Sequence, residues 1–78
     1  MNEELRARIY KNTMEMVSLN QLLDLEAKAF EAAHADSKPD FAKLSIISSR
    51  MAILFHKLDV VFKEKEEIQK ELERFIFE

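Results

Sequence analysis

Residues 36–40 have the sequence Asp-Ser-Lys-Pro-Asp, the one strong interruption in an otherwise helix-forming chain of 78 residues. Asp and Ser favour helix caps and turns, and the proline disfavours a helical conformation at Lys38, the residue before it. The proline itself suits the first turn of a new helix. The segment therefore predicts a turn at residues 36–38 between two helices, one at residues 3–35 and the other at residues 39–77.

Capping residues support both predicted helices. Asn2 is placed to cap the first helix, whose first turn carries Glu3 and Glu4 at the positive end of the helix dipole. Ser37 is followed three residues later by Asp40, which resembles a capping box with Asp in place of the usual Glu. Because the connection is short, the helices are expected to be antiparallel neighbours. The predicted fold class is all-α, an antiparallel helical hairpin.

Each predicted helix carries an apolar stripe at helical spacing, which is the surface expected to join the two helices. The stripe on the first helix consists of Leu5, Ile9, Met16, Leu19, Leu23 and Phe30. The stripe on the second helix consists of Ile47, Met51, Leu54, Leu58, Val61, Leu72 and Ile76, with Ile68 at its edge. No alternation of apolar and polar residues is long enough to predict a strand instead.

Composition limits the class of protein. The chain has no Gly and no Cys, and 12 Lys and Arg against 15 Asp and Glu give a formal net charge of −3. Phosphate-binding loops need Gly, cysteine nucleophiles and disulfide frameworks need Cys, and nucleic-acid binding needs a basic face. The first residues lack the pattern of a signal peptide, and no apolar run approaches the roughly 20 residues that span a bilayer. We therefore expect a cytoplasmic protein of one domain, residues 1–78, with no nucleic-acid or membrane partner.

Further apolar residues lie away from the two joining stripes. On the second helix they are Ala42, Ile46, Ile53 and Val60, widened by Phe41, Leu44, Phe55 and Phe62, beside a polar strip at Ser45, Ser49, His56, Asp59 and Lys63. Two helices touch along one stripe each, so a hairpin alone leaves the other apolar residues in water, which normally marks an interface. The residues predicted to contact a partner are Tyr10, Met14, Val17, Leu25, Ile46, Ile53 and Val60.

The side chains that carry chemistry are few. Glu31 and His34 have the spacing of the Glu-x-x-His unit found in di-metal carboxylate bundles, but the chain holds no second such unit. The alanines around them favour close helix approach instead. The serines have no acid and histidine at converging positions, and a two-helix hairpin offers no concave pocket. We predict no catalytic residue, no metal ligand and no cofactor, and a di-metal bundle built from Glu31 and His34 is the remote alternative.

The last part of the chain combines a charged segment, residues 63–74, with an apolar end. The segment has acids and bases at helical pair spacings, which are Lys63–Glu67 and Glu66–Lys70. It is therefore expected to be a solvated helix. Phe75 and Phe77 are expected to pack against the first helix near Leu5 and Ile9, with docking on a partner as the open alternative.

The stretch from Phe41 to Val61, in which an aromatic residue after the turn leads into a wide apolar helix, resembles the small co-chaperones of bacterial type III secretion. Those proteins are helical hairpins that pair with a helical-repeat chaperone and hold the needle subunit soluble. The resemblance implies that the extra apolar residues face a different protein. In shape the chain is also similar to the Rop-type plasmid copy-control hairpin, which dimerises as a four-helix bundle, but the regular heptads and basic RNA-binding face of that family are not evident here.

The sequence thus predicts a non-catalytic protein–protein interaction module. In one form it binds a different protein as a co-chaperone or adaptor. In the other form it associates with itself into a four-helix bundle and serves as a scaffold or regulator. Both forms need a protein partner because a hairpin this small lacks the core to be comfortably stable alone.

Overall fold

The structure is a computed structural model that describes residues 2–35 and 37–77, without the side chain of Phe77. Over these residues it is all-helical and contains no strand. Helix α1 spans Glu3–His34 and helix α2 spans Phe41–Phe77. The two helices pack against each other as a hairpin that measures 61 × 15 × 15 Å along its principal axes. The prediction of an all-α hairpin is confirmed.

The start of α1 is capped as predicted. The side-chain Oδ1 of Asn2 accepts a hydrogen bond of 2.7 Å from the backbone N–H of Leu5. Glu3 and Glu4 occupy the first turn, where their charges favour the positive end of the helix dipole. At the other end the N–H of Ala35 donates to the carbonyl of Glu31, which satisfies a carbonyl of the last turn.

Helix α2 begins at Phe41, two residues later than predicted, and its cap is Asp40. The carboxylate of Asp40 accepts a hydrogen bond of 3.1 Å from the backbone N–H of Lys43. The predicted capping box from Ser37 is therefore wrong. A cap at Ser37 would make Lys38 the first helical residue, and the proline that follows Lys38 disfavours that conformation.

The buried side chains lie along the single contact between the helices. The buried apolar residues are Leu5, Ala33, Leu44, Ile47, Val61 and Ile68. Near the turn, Ala33, Leu44 and Ile47 form a cluster, with Ala29 and Phe30 partly buried against it. The two alanines let α2 approach α1 closely there. This close approach explains why Leu44 is buried, although the sequence pattern placed it on an exposed flank of α2.

The predicted joining stripes face each other except at the end of α2. The α1 stripe and the α2 stripe from Ile47 to Leu72 are buried or half-buried, and Ile68 lies inside the contact rather than at its edge. Ile76 is 69% exposed, so its assignment to the stripe is wrong. The guanidinium of Arg8 contacts the carboxylate of Glu71 at 2.6 Å, so these two residues lie at the same height along the hairpin. Residue 76 is therefore level with the first residue of α1, where no further turn remains to cover it.

Phe75 lies at the open end of the hairpin, beside the first turns of α1. It lines a small groove together with Leu5 and Arg8, and more than half of its surface stays exposed. This location agrees with the expectation that it lies near Leu5. The predicted packing of Phe77 concerns a side chain outside the described ones.

One polar side chain, Asn12, lies inside the helix contact and was missed by the sequence analysis. It is buried, and its Nδ2 donates a hydrogen bond of 2.9 Å to the backbone carbonyl of Val61. The spacing could have revealed it, because Asn12 lies three residues after Ile9 and four before Met16, both on the α1 stripe. A polar residue at such a position selects one register of two packed helices at some cost in stability.

Replacement of Ile47 by alanine should lower the free energy of unfolding by about 2–5 kcal/mol, because Ile47 is fully buried and the smaller side chain leaves a cavity. The matched control is Phe41→Ala, which removes a larger side chain that is 75% exposed and should change stability by less than about 0.5 kcal/mol. Urea unfolding at one protein concentration, followed by far-UV circular dichroism, measures both. Equal losses for the two variants would contradict the observed core.

Substitution of Asn12 should separate the roles of its hydrogen bond and its polarity. Asn12→Leu places an apolar side chain in the contact and should raise the free energy of unfolding. Asn12→Asp directs a carboxylate oxygen at the Val61 carbonyl, with an expected loss of about 1–3 kcal/mol at neutral pH.

The loss in Asn12→Asp should depend on pH. Burial and the facing carbonyl raise the folded-state pKa of the introduced carboxyl above its unfolded value of about 3.9. The folded state therefore favours the protonated form, and the variant should regain stability relative to wild type as the pH falls from 7 toward 4. Urea unfolding across this range measures the difference, and a difference that does not change with pH would show that residue 12 is solvated.

Candidate protein-binding surface

All seven residues predicted to contact a partner have exposed side chains. Their exposed fractions run from 44% at Val17 to 69% at Tyr10. Exposure makes these side chains accessible to another protein. Whether they form one surface depends on which side of the hairpin each one occupies.

Three of the seven residues line one groove between the helices. Tyr10 and Met14 of α1 face Val60 of α2 across a cavity of about 670 Å³. Leu19 and Val61 line the same groove from the two joining stripes. Three charged residues, Lys11, Glu15 and Lys57, line it as well. The groove is therefore apolar with charges of both signs.

A smaller groove of about 210 Å³ continues this surface toward the turn. It is lined by Ile53 and by Leu22, which the sequence analysis did not select. Leu22 follows Ser18 of the first groove by four residues, and Ile53 precedes Val60 by seven, so both grooves lie on the same side of the hairpin. Leu22 lies three residues before Leu25, and this spacing could have indicated that Leu22 belongs to the same surface.

Helical spacing also places the two remaining residues of this side. Leu25 lies three residues after Leu22, and Ile46 lies seven residues before Ile53. We call this side the front face, and it consists of Tyr10, Met14, Leu22, Leu25, Ile46, Ile53 and Val60. The front face thus carries exposed apolar side chains on both helices.

An ion pair crosses the helices within the front face. Arg50 Nε contacts Glu26 Oε2 at 3.2 Å, and both residues line the groove that holds Ile53. Together with the Arg8–Glu71 pair near the other end, it aligns α1 with α2. Exposed pairs of this kind contribute little to stability, about 0–1 kcal/mol each, so they act mainly on register.

Val17 lines a different groove from Tyr10, although their spacing of seven residues places both on nearby faces of α1. It lines a groove of about 620 Å³ together with Thr13, Asn20 and Gln69. This groove occupies the same stretch of α1 as the groove of Tyr10 but shares no residue with it, so the two are on opposite sides. The structure therefore puts Val17 in a different groove from Tyr10, Met14 and Val60.

The side opposite the front face is partly aromatic near the turn. Phe30 and Phe55 line a groove of about 330 Å³ with Met51 and Ala52. Phe55 is 56% exposed, the same fraction as Ile53 on the front face. The two residues thus offer a matched pair for comparing the two sides.

The charged segment of α2 forms ion pairs along its own helix, but not the predicted ones. Lys63 Nζ donates to Asp59 at 2.9 Å, and this bond raises the pKa of the exposed Lys63 above its ordinary value. Lys70 contacts Glu67 at 3.6 Å rather than Glu66. Helical side chains lean toward the N-terminus, which explains why Lys63 contacts the earlier Asp59 rather than the later Glu67.

The structure groups few side chains that could perform chemistry. His34 is exposed and stacks on Phe30, with ring centroids 6.2 Å apart. Within residues 2–35 and 37–77, no three His, Asp or Glu side chains come together as metal ligands. The Oγ of Ser49 donates to the carbonyl of Ser45 in the preceding turn, which leaves it on the helix surface.

Neither helix, over the part of the chain that the structure describes, contains a stretch long and apolar enough to cross a membrane. No protein-family model matches the chain, and comparisons with curated proteins and with solved structures found no match.

Proposed function

We propose that this chain is a non-catalytic protein–protein interaction module that binds a helical protein through its front face. The observation that supports the proposal is the gathering of seven exposed apolar side chains along one side of the hairpin. Scattered apolar residues are normal on a protein surface, but a contiguous apolar patch is typical of an interaction site.

The exposed area of the hairpin supports the same proposal. The chain exposes 6253 Å². A folded monomer of 9.2 kDa is expected to expose about 4,900 Å². The excess of about 1,300 Å² is larger than the roughly 800 Å² that each partner buries in a standard interface. The hairpin thus has enough uncovered surface for a stable interface.

The shape of the front face favours a helical partner. Its two grooves run between α1 and α2, and the side chains of a helix pack well into such grooves. Its charges are of both signs, as at Lys11 and Glu15, so the surface lacks the uniformly basic rim that nucleic acid or an anionic membrane would favour. A helical protein satisfies both the shape and the charge.

The resemblance to type III secretion co-chaperones suggests one specific form of this function, in which the partner is a helical-repeat chaperone. That form stays a prediction, as does a cytoplasmic location. The self-associating four-helix bundle is the second form.

Photo-crosslinking in the native host should test the proposal. A photoreactive phenylalanine analogue in place of Met14 should yield a light-dependent protein adduct, because Met14 lies in the groove of the front face. The control places the analogue at Gln69, which is exposed and lines the groove on the opposite side, and it should yield no adduct. Absence of an adduct from Met14, or equal adducts from both positions, would overturn the proposed function.

A further inference from the structure

We infer that the protein covering the front face is a second copy of this chain, so that the functional unit is a homodimeric four-helix bundle. The inference rests on the proposed function, since it requires the front face to bind protein. Three features support it: the area to be covered, the match between α1 and α2 at equal heights, and the placement of charge.

The surface area that two hairpins would have to bury fits an obligate homodimer. A globular protein of about 18 kDa, twice the mass of this chain, is expected to expose about 8,200 Å². Two separate hairpins of 6253 Å² would have to bury about 4,300 Å² together to reach that value. Obligate homodimers bury about 2,000–5,000 Å² in total. A second hairpin is therefore a partner of suitable size.

The front face is complementary to itself. Across the first groove Met14 of α1 faces Val60 of α2, and across the second groove Leu22 faces Ile53. At these two heights the front face thus carries an apolar residue on both helices. A twofold axis parallel to the helices would place α1 of one copy on α2 of the other at the same height. Met14 would then meet Val60 of the partner subunit, and the reciprocal contact would form by symmetry.

The spacing on α2 suits long helices that pack side by side. Ile46, Ile53 and Val60 follow one another at intervals of seven residues. This is the heptad interval at which apolar residues of one helix fit between those of another. At about the same height α1 carries Met14, Leu22, Leu25 and Ala29, with Ser18 between Met14 and Leu22.

The charges of the front face are compatible with the same arrangement. Glu15 on α1 and Lys57 on α2 line one groove, and Lys57 forms no ion pair within the residues that the structure describes. In the twofold arrangement α1 of one copy lies on α2 of the other, which brings Glu15 near Lys57 of the partner subunit. Opposite charges would therefore meet across the interface.

Sedimentation of the purified chain from micromolar concentration upward provides the main test. We expect a dimer of about 18 kDa for the wild type. Ile53→Asp should shift the mass to that of the single chain, because it places a carboxylate in the interface. The control Phe55→Asp changes a residue of equal exposure on the opposite side and should remain dimeric.

Disulfide trapping keeps the inference testable even if Ile53→Asp fails to fold. The chain has no cysteine, so single cysteines can be introduced without background. Chains carrying Ser18→Cys, mixed under oxidising conditions with chains carrying Lys57→Cys, should form a mixed disulfide, since both positions line the front groove at similar height. Replacement of the second chain by one carrying Ser48→Cys, a position in the opposite groove, should abolish trapping.

The outcomes separate this inference from the proposed function. A monomer at all concentrations, or a dimer broken by Phe55→Asp and not by Ile53→Asp, would overturn self-association through the front face. If Met14 still yields an adduct with a different protein, the proposed function stands without the homodimer. If Met14 yields no adduct and the chain is monomeric, both are overturned.

Discussion

Two helices can bury only the line along which they touch, and this constraint determines most features of the molecule. In the described part of the chain that line contains six buried apolar side chains and Asn12. The helices are long, 32 and 37 residues, so the contact is extended rather than thick. A thin core of this kind leaves most of each helix surface in water. The exposed apolar side chains of the front face follow from this geometry.

A long, thin contact also requires something to set the register of the two helices, that is, their alignment along the hairpin axis. Apolar stripes alone allow two helices to slide past each other by a turn, because neighbouring positions along each stripe are similar. Here three polar contacts align α1 with α2: the hydrogen bond from Asn12 to the Val61 carbonyl and the Arg8–Glu71 and Arg50–Glu26 ion pairs. Of these three contacts the buried hydrogen bond is the most selective for register, since an unpaired amide inside the contact would be costly. Correct register in turn keeps Met14 opposite Val60, on which the front face depends.

Both sides of the hairpin carry apolar side chains. The front face has exposed apolar residues on both helices, with charges of both signs in its grooves. The opposite side has a groove lined by Val17, Thr13 and Gln69 toward the chain ends and an aromatic groove toward the turn. A twofold bundle formed through the front face would leave that opposite side outward.

The two helices and most residues of the joining stripes could be predicted from the sequence, because helical periodicity and capping are local properties of the chain. Where the contact ends and which groove each exposed residue lines depend on how the two helices pack. Ile76 continues the stripe in sequence but lies level with the start of α1, whereas Leu44 is buried because Ala33 allows close approach. Val17 was grouped with Tyr10 from one helix alone, yet the position of α2 puts them in different grooves. A single helix has a pattern around its axis, but only a second helix packed against it divides that pattern into a contact and two sides.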